Sequence, residues 1–217
     1  MPGVEVRLAA TRWPGSGTPV VLLHGLASQR RFWNPVARRI AAGPAGSPIL
    51  ALVAIDGGFG MPVAGDRAEL RKRLEPPRFA VPPDELVTMI SSRSPGQWDD
   101  ELASAVLPIF EVGPDGLARA RLPFDTHMQI LDGLLDYDAQ SVLPRVRCPA
   151  WLVSCESVDA DDEWTAQKSA ALTLIAPQLA RPRVMRWAGA VHDVPLQWPD
   201  LVAGLIRSAI NDPEIGG

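Results

Sequence analysis

Pro19-Val20-Val21-Leu22-Leu23-His24-Gly25-Leu26 is the stretch on which the reading of this chain turns. An unbroken apolar run behind a proline is the pattern of a strand buried on both faces. The His24-Gly25 pair marks where it must turn out of the sheet. Ser28 lies in the loop that follows, and Asn34-Pro35 then opens a helix. Asn at the N-cap accepts an orphan N–H, and Pro at the first helical position has none to lose. Val36 and Ile40 supply the apolar stripe, and Gly43 ends it. Upstream, Val4 to Trp13 alternates loosely before the turn Pro14-Gly15-Ser16-Gly17. Strand, turn, strand, helix is an α/β beginning.

Downstream, Pro48 to Ile55 forms a second buried strand that ends at Asp56-Gly57-Gly58. The texture then changes. From Phe59 to Arg145, proline breaks separate short amphipathic windows, which predict helices at Asp66–Leu74, Asp84–Ser91, Trp98–Ile109 and His127–Leu135. A weak strand candidate lies near Leu117–Leu122, and His127 is expected on a partly exposed helix surface. The α/β alternation resumes with a strand through Pro149–Val153 and an acidic turn from Glu156 to Glu163. A helix to Ala176 follows, then a short strand at Arg183–Trp187, a loop holding His192, and a last helix from Asp200 to Ile210 with Leu201, Leu205 and Ile206 inward.

Composition narrows the classes of function. The net charge is −4, and no basic run exceeds the three residues Arg71-Lys72-Arg73 among 19 arginines and two lysines, which argues against a nucleic-acid partner. No apolar stretch approaches the ~18 residues of a membrane span, and no signal peptide is visible at Met1–Arg7, so a cytoplasmic protein is expected. Cys148 and Cys155 bracket a predicted strand and, at about 3.3 Å per residue, stand too far apart to bridge. The acidic residues Asp159, Asp161, Asp162 and Glu163 lack the spacing of a calcium loop and read as a helix start favoured by the macrodipole. No metal or cofactor is expected.

Three segments, in order, resemble the α/β-hydrolase superfamily, in its cap-bearing branch of esterases, lactonases and epoxide hydrolases. Val20–Leu26 with Phe32-Trp33-Asn34-Pro35-Val36-Ala37 is similar to the family's third strand, its His-Gly turn and the helix after it. Leu52–Gly57 is similar to the sixth strand and its exit into the cap. Cys148–Val153, with Gly189-Ala190-Val191-His192-Asp193 and on to Pro199, is similar to the seventh strand and the eighth-strand exit with its histidine. The resemblance implies a reduced α/β-hydrolase sheet of about five strands, mostly parallel, with a helical cap inserted after the sixth-strand equivalent. It divides the chain into a discontinuous core, 1–60 and 146–217, and a cap lobe, 61–145.

The resemblance also implies roles. The backbone N–H of Leu26 would help hold an oxyanion, and His192 would be the general base. The slot for its carboxylate falls at Val158, with Asp159 one residue late and Glu156 two early; Asp159 is preferred. His24 reads as a structural turn residue.

The family's nucleophile sits on a Gly-x-Ser-x-Gly turn between the third and sixth strands. None of the twelve serines here has glycine at both −2 and +2, and neither cysteine does. Pro48 follows Arg39 by only nine positions, where two strands, two helices and their loops would take roughly 50 to 60 residues. Ser28, and Asp56 with Ala54 and Gly58 two residues either side, remain as unorthodox nucleophiles.

The expectation is therefore an inactive or truncated serine-hydrolase relative acting on small esters or lactones. The alternatives are an active hydrolase using Ser28 or Asp56, or a non-catalytic binder of a small apolar or ester-like molecule. A sheet with few cross-strand neighbours also predicts homodimerisation.

Overall fold

The computed structural model describes residues 11, 20–23, 28, 30–37, 51–58, 66–94, 96–158 and 162–212. Its core is organised by one strand, β4 (Ala150–Glu156). β4 pairs in parallel with β1 (Leu52–Ile55) on one side and with β5 (Pro182–Ala188) on the other, giving the order β1-β4-β5. The run Ala-Trp-Leu-Val-Ser-Cys shows no alternation because both faces of this strand are covered.

One face packs Ala150 and Leu152 against Leu172 and Ile175 of α7 (Asp162–Ile175). On the other, Trp151 and Val153 meet Leu205 and Ala209 of α9 (Pro199–Ile210). Cys155, at the strand's far end, joins Val36 of α1 (Asn34–Ala37), Val194 of α8 (Val194–Gln197), and Val202 and Ile206 of α9. Burying each Leu, Ile or Val contributes about 1.5–3 kcal/mol. At the edge strand β5, Arg183 pairs with Asp212 and Arg186 with Glu156. Charges of this kind discourage further pairing at a sheet edge.

Between β1 and β4 the chain is mainly helical: α2 (Arg67–Arg73), α3 (Pro83–Ser91), α4 (Asp100–Val106), α5 (Phe124–Leu135) and α6 (Ala139–Val142). Asp66, Asp99 and Asp138 cap three of these by accepting N–H bonds from Ala68, Leu102 and Gln140 at 2.8, 2.9 and 3.0 Å. Four helices thus stand where the amphipathic windows predict them. An antiparallel hairpin interrupts the series. Its β3 (Ala118–Ala120) falls on the weak candidate near Leu117, and its partner β2 (Phe110–Val112) was not foreseen.

Several expectations change. Among the described residues the reduced sheet has three strands, all parallel. The N-terminal candidate, Val4–Trp13, lies outside the described residues apart from Thr11. Val20–Leu23 is not part of a strand: Val20 and Leu22 pack on the Val36–Cys155 cluster, while Val21 and Leu23 are each 81% exposed. Apolar composition had implied two covered faces, and only one is covered.

Asn34 is not a flanking N-cap, because a 3-10 turn over Arg30–Trp33 runs directly into α1. On α9 the buried stripe is Val202, Leu205, Ile206 and Ala209, and Leu201 is exposed. His127, expected near the surface, is buried in α5 beside Met128 and Leu131 in sequence. Both cysteines are free, as the spacing implies. Among the described residues no helix is long and apolar enough to cross a membrane.

Candidate functional site

Parallel pairing places the ends of β1, β4 and β5 on one edge of the sheet, the edge where open α/β sheets carry their sites. Asp56 is the first residue past β1 and takes a left-handed backbone, φ 47°. Asp tolerates this region better than most residues, because its short polar side chain can bond locally. Its N–H donates to the Val153 carbonyl at 2.7 Å, which extends the β1–β4 ladder by one residue, and the chain then turns away through Gly57 and Gly58.

The Asp56 carboxylate is 5% exposed and both of its oxygens are engaged. Oδ1 accepts from the Cys155 N–H at 2.9 Å and from the Lys168 ammonium at 2.9 Å. Oδ2 lies 2.9 Å from Nδ1 of His192. Lys168, on α7, also donates to the Cys155 carbonyl, and its side chain is 9% exposed. The His192 ring is 74% exposed. Its Nδ1 faces the carboxylate, which leaves Nε2 as the nitrogen free of that contact.

Burial alone would raise the Asp56 carboxyl, but hydrogen bonds from His192, Lys168 and the Cys155 N–H outweigh it and hold the group below its ordinary range. The same Asp56 bond raises His192 above its ordinary value, against a smaller opposing effect of desolvation. Burial, and then the neighbouring Asp56 charge, push the Cys155 thiol up to about 12, so it stays protonated and unreactive.

The loop that presents His192 is braced. Gly189 turns it with φ 76°, and its N–H donates to the Glu156 carbonyl at 2.8 Å. The Gln197 side chain spans the turn, donating to the Gly189 carbonyl at 3.0 Å and accepting from the Val191 N–H at 2.9 Å. Such bracing fixes the loop backbone on both sides of the histidine.

The residues singled out from sequence fall into three groups. His192 and Asp56 are brought together. Glu156 is not beside His192: it pairs with Arg186 at 3.0 Å. The carboxylate beside His192 is that of Asp56, whose two oxygens are engaged by His192, Lys168 and the Cys155 N–H. Asp159, Leu26 and His24 lie outside the described residues, as does the whole stretch from Arg39 to Pro48. Ser28 is half-buried in the segment before α1.

Lys168 was missed by sequence reasoning. The available signal was its rarity, one of two lysines against 19 arginines, set on a helix beside Ala170, Ala171 and Leu172. Among the described residues no cluster of three or more His, Cys, Asp or Glu could hold a metal ion.

No sequence-family model matches the chain, and no curated protein does. Solved structures do. A crystal structure of E-2-(acetamidomethylene)succinate hydrolase aligns with a TM-score of 0.51 and 17% identity, over 83% of this chain and 62% of that one. A novel esterase from Mycobacterium tuberculosis aligns at 0.47 and 16% identity, over 74% of this chain and 51% of its own. A peroxisomal α/β-hydrolase from Saccharomyces cerevisiae aligns at 0.45 and 16% identity, over 79% and 41%. The chain therefore spans less than two thirds of the length of each. The first of these alignments, with the parallel order β1-β4-β5 and a mainly helical insertion after β1, identifies the architecture: the chain has the α/β-hydrolase fold in reduced form.

Proposed function

We propose that this protein keeps the base half of a hydrolytic site, His192 oriented by Asp56, without the Gly-x-Ser-x-Gly nucleophile turn, and that it is inactive or nearly so toward small esters and lactones. The 2.9 Å contact between Asp56 Oδ2 and His192 Nδ1 carries this reading. A carboxylate on Nδ1 selects the tautomer whose Nε2 can take a proton, and it stabilises the imidazolium that results. An acyl-transfer site needs in addition a nucleophile within reach of Nε2. No serine or cysteine here has the flanking glycines that would lift it clear of the backbone. In this reading residues 61–145 form a helical cap over a core of 1–60 and 146–217, and whatever binds beneath it is small and apolar or ester-like.

The test uses the full chain, a fluorophosphonate serine probe and a chromogenic short-chain ester. No labelling is expected, with turnover within a few-fold of the uncatalysed rate. Stoichiometric labelling, or rapid turnover that disappears in His192→Ala, would overturn the proposal. A native intact mass exceeding this sequence by roughly 50 to 60 residues would restore an ordinary serine hydrolase.

A further inference from the structure

The base pair has a third member that hydrolytic chemistry does not require. The Lys168 ammonium reaches the site from α7, and its two acceptors are Asp56 Oδ1 and the Cys155 carbonyl. A buried ion pair is weak evidence for stability, since desolvating both charges consumes most of their attraction. Its position is more informative. Lys168 and His192 bind opposite oxygens of one carboxylate, so Asp56 faces two potential cations at once.

We propose that Lys168 is a positioning residue that clamps Oδ1 so that Oδ2 is presented to His192, and whose fixed charge shares the carboxylate so that the imidazole can cycle between neutral and charged forms. This rests on the assignment of His192 as the site's base. A second cation on the carboxylate weakens its hold on the imidazolium and so favours return to the neutral imidazole, the form whose lone pair accepts a proton.

The groups around His192 bear this out in sign. From β1, Asp56 raises its proton affinity, and Asp193, beside it in the loop, does the same. From α7, Lys168 lowers it. Among the described residues no group on β4 or β5 contributes to the shift. Among the described residues Lys168 is thus the one charge that opposes the two acids. Lysine suits the task because its compact ammonium can serve a carboxylate oxygen and a carbonyl together, where arginine's planar fork would engage both carboxylate oxygens and displace the histidine.

The experiment is an NMR titration of the His192 ring in the full chain. In Lys168→Met the midpoint should rise by about one unit, a tenfold change in the protonation ratio. Lys168→Gln, which keeps a donor without the charge, should move it the same way and serves if the methionine variant does not fold. In the wild-type protein, the Nζ resonance of Lys168, one of only two lysines, should inflect at the His192 midpoint. A His192 midpoint unmoved or lowered in the Lys168 variants, or a Lys168 resonance blind to that titration, would overturn the proposal. Asp56→Asn separates this from the parent reading. If it leaves His192 unchanged, the base pair itself is wrong. If it lowers the His192 midpoint while the Lys168 variants do nothing, only the role of Lys168 falls.

Discussion

In the sheet core, Ala150, Leu152 and Val153 are 0% exposed, and three apolar clusters meet on β4. In the stretch between β1 and β4, one small cluster, Met128, Leu131 and Leu135 with Leu70, Leu74 and Phe124, is fastened at its rim by Arg71–Asp132 and Arg67–Asp136 pairs open to water. Exposed ion pairs are screened and add little, so the second region depends on helix caps and a modest apolar seam. Each region also holds a histidine, and the two differ in sign. His192 is raised by its bond to Asp56, whereas His127 is lowered by burial. One region favours the charged form of its histidine and the other the neutral form, because His192 has a carboxylate partner and His127 is desolvated.

The sharpest way to break this comparison is to cut a cavity in each region. Leu152→Ala should cost toward the upper end of about 2–5 kcal/mol and Leu131→Ala toward the lower, read from urea midpoints. The reason is that Leu152 is enclosed by β4's neighbours and α7, while the α5 cluster can collapse around a void. Equal losses would mean the two regions are packed alike.

Glycine substitutions should give a smaller contrast. Gly189 in the His192 loop has φ 76° and nothing nearer than Trp198 at 3.8 Å, so Gly189→Ala should cost about 1–2 kcal/mol in backbone strain alone. Gly133 lies exposed within α5 with open space around it, and Gly133→Ala should gain about 0.5–1 kcal/mol. Thermal unfolding of both variants reads the two signs.

The smallest expected effect is the pH dependence, and it opposes the two histidines. His192 has a raised folded value, so its contribution is complete below the ordinary value near 6.5 and disappears as pH climbs through the folded value. His127 has a lowered one, so its contribution is present above about 6.5 and disappears as pH falls through the folded value. Asp56, also lowered, adds stability above about 3.8 that is lost on further acidification. Stability measured from pH 5 to 9 should therefore lose its alkaline decline in His192→Ala and part of its acid decline in His127→Leu. Matching slopes in both variants would remove the distinction.

Much of the fold can be read locally. The helices α2, α3, α4 and α5 announce themselves through aspartate caps, proline starts and apolar spacing, all of which act within one turn. Val20–Leu23 misleads because an apolar run does not say whether anything covers its second face. The hairpin strand β2 was missed because three residues are too short to show a period.

Local patterns in the chain are enough to show that a histidine follows the last predicted strand in a loop, and that no serine or cysteine has the glycine flanks of a nucleophile turn. Both are local patterns, legible without a structure. The meeting of Asp56 with His192 across 136 residues, and with Lys168 across 112, is visible in the folded chain alone. Spacing along the chain pointed to the acidic turn after β4. Parallel pairing of β1 with β4 instead carries a carboxylate from the chain's first third to the same sheet edge as the histidine, and such long-range register is set by burial of the whole sheet.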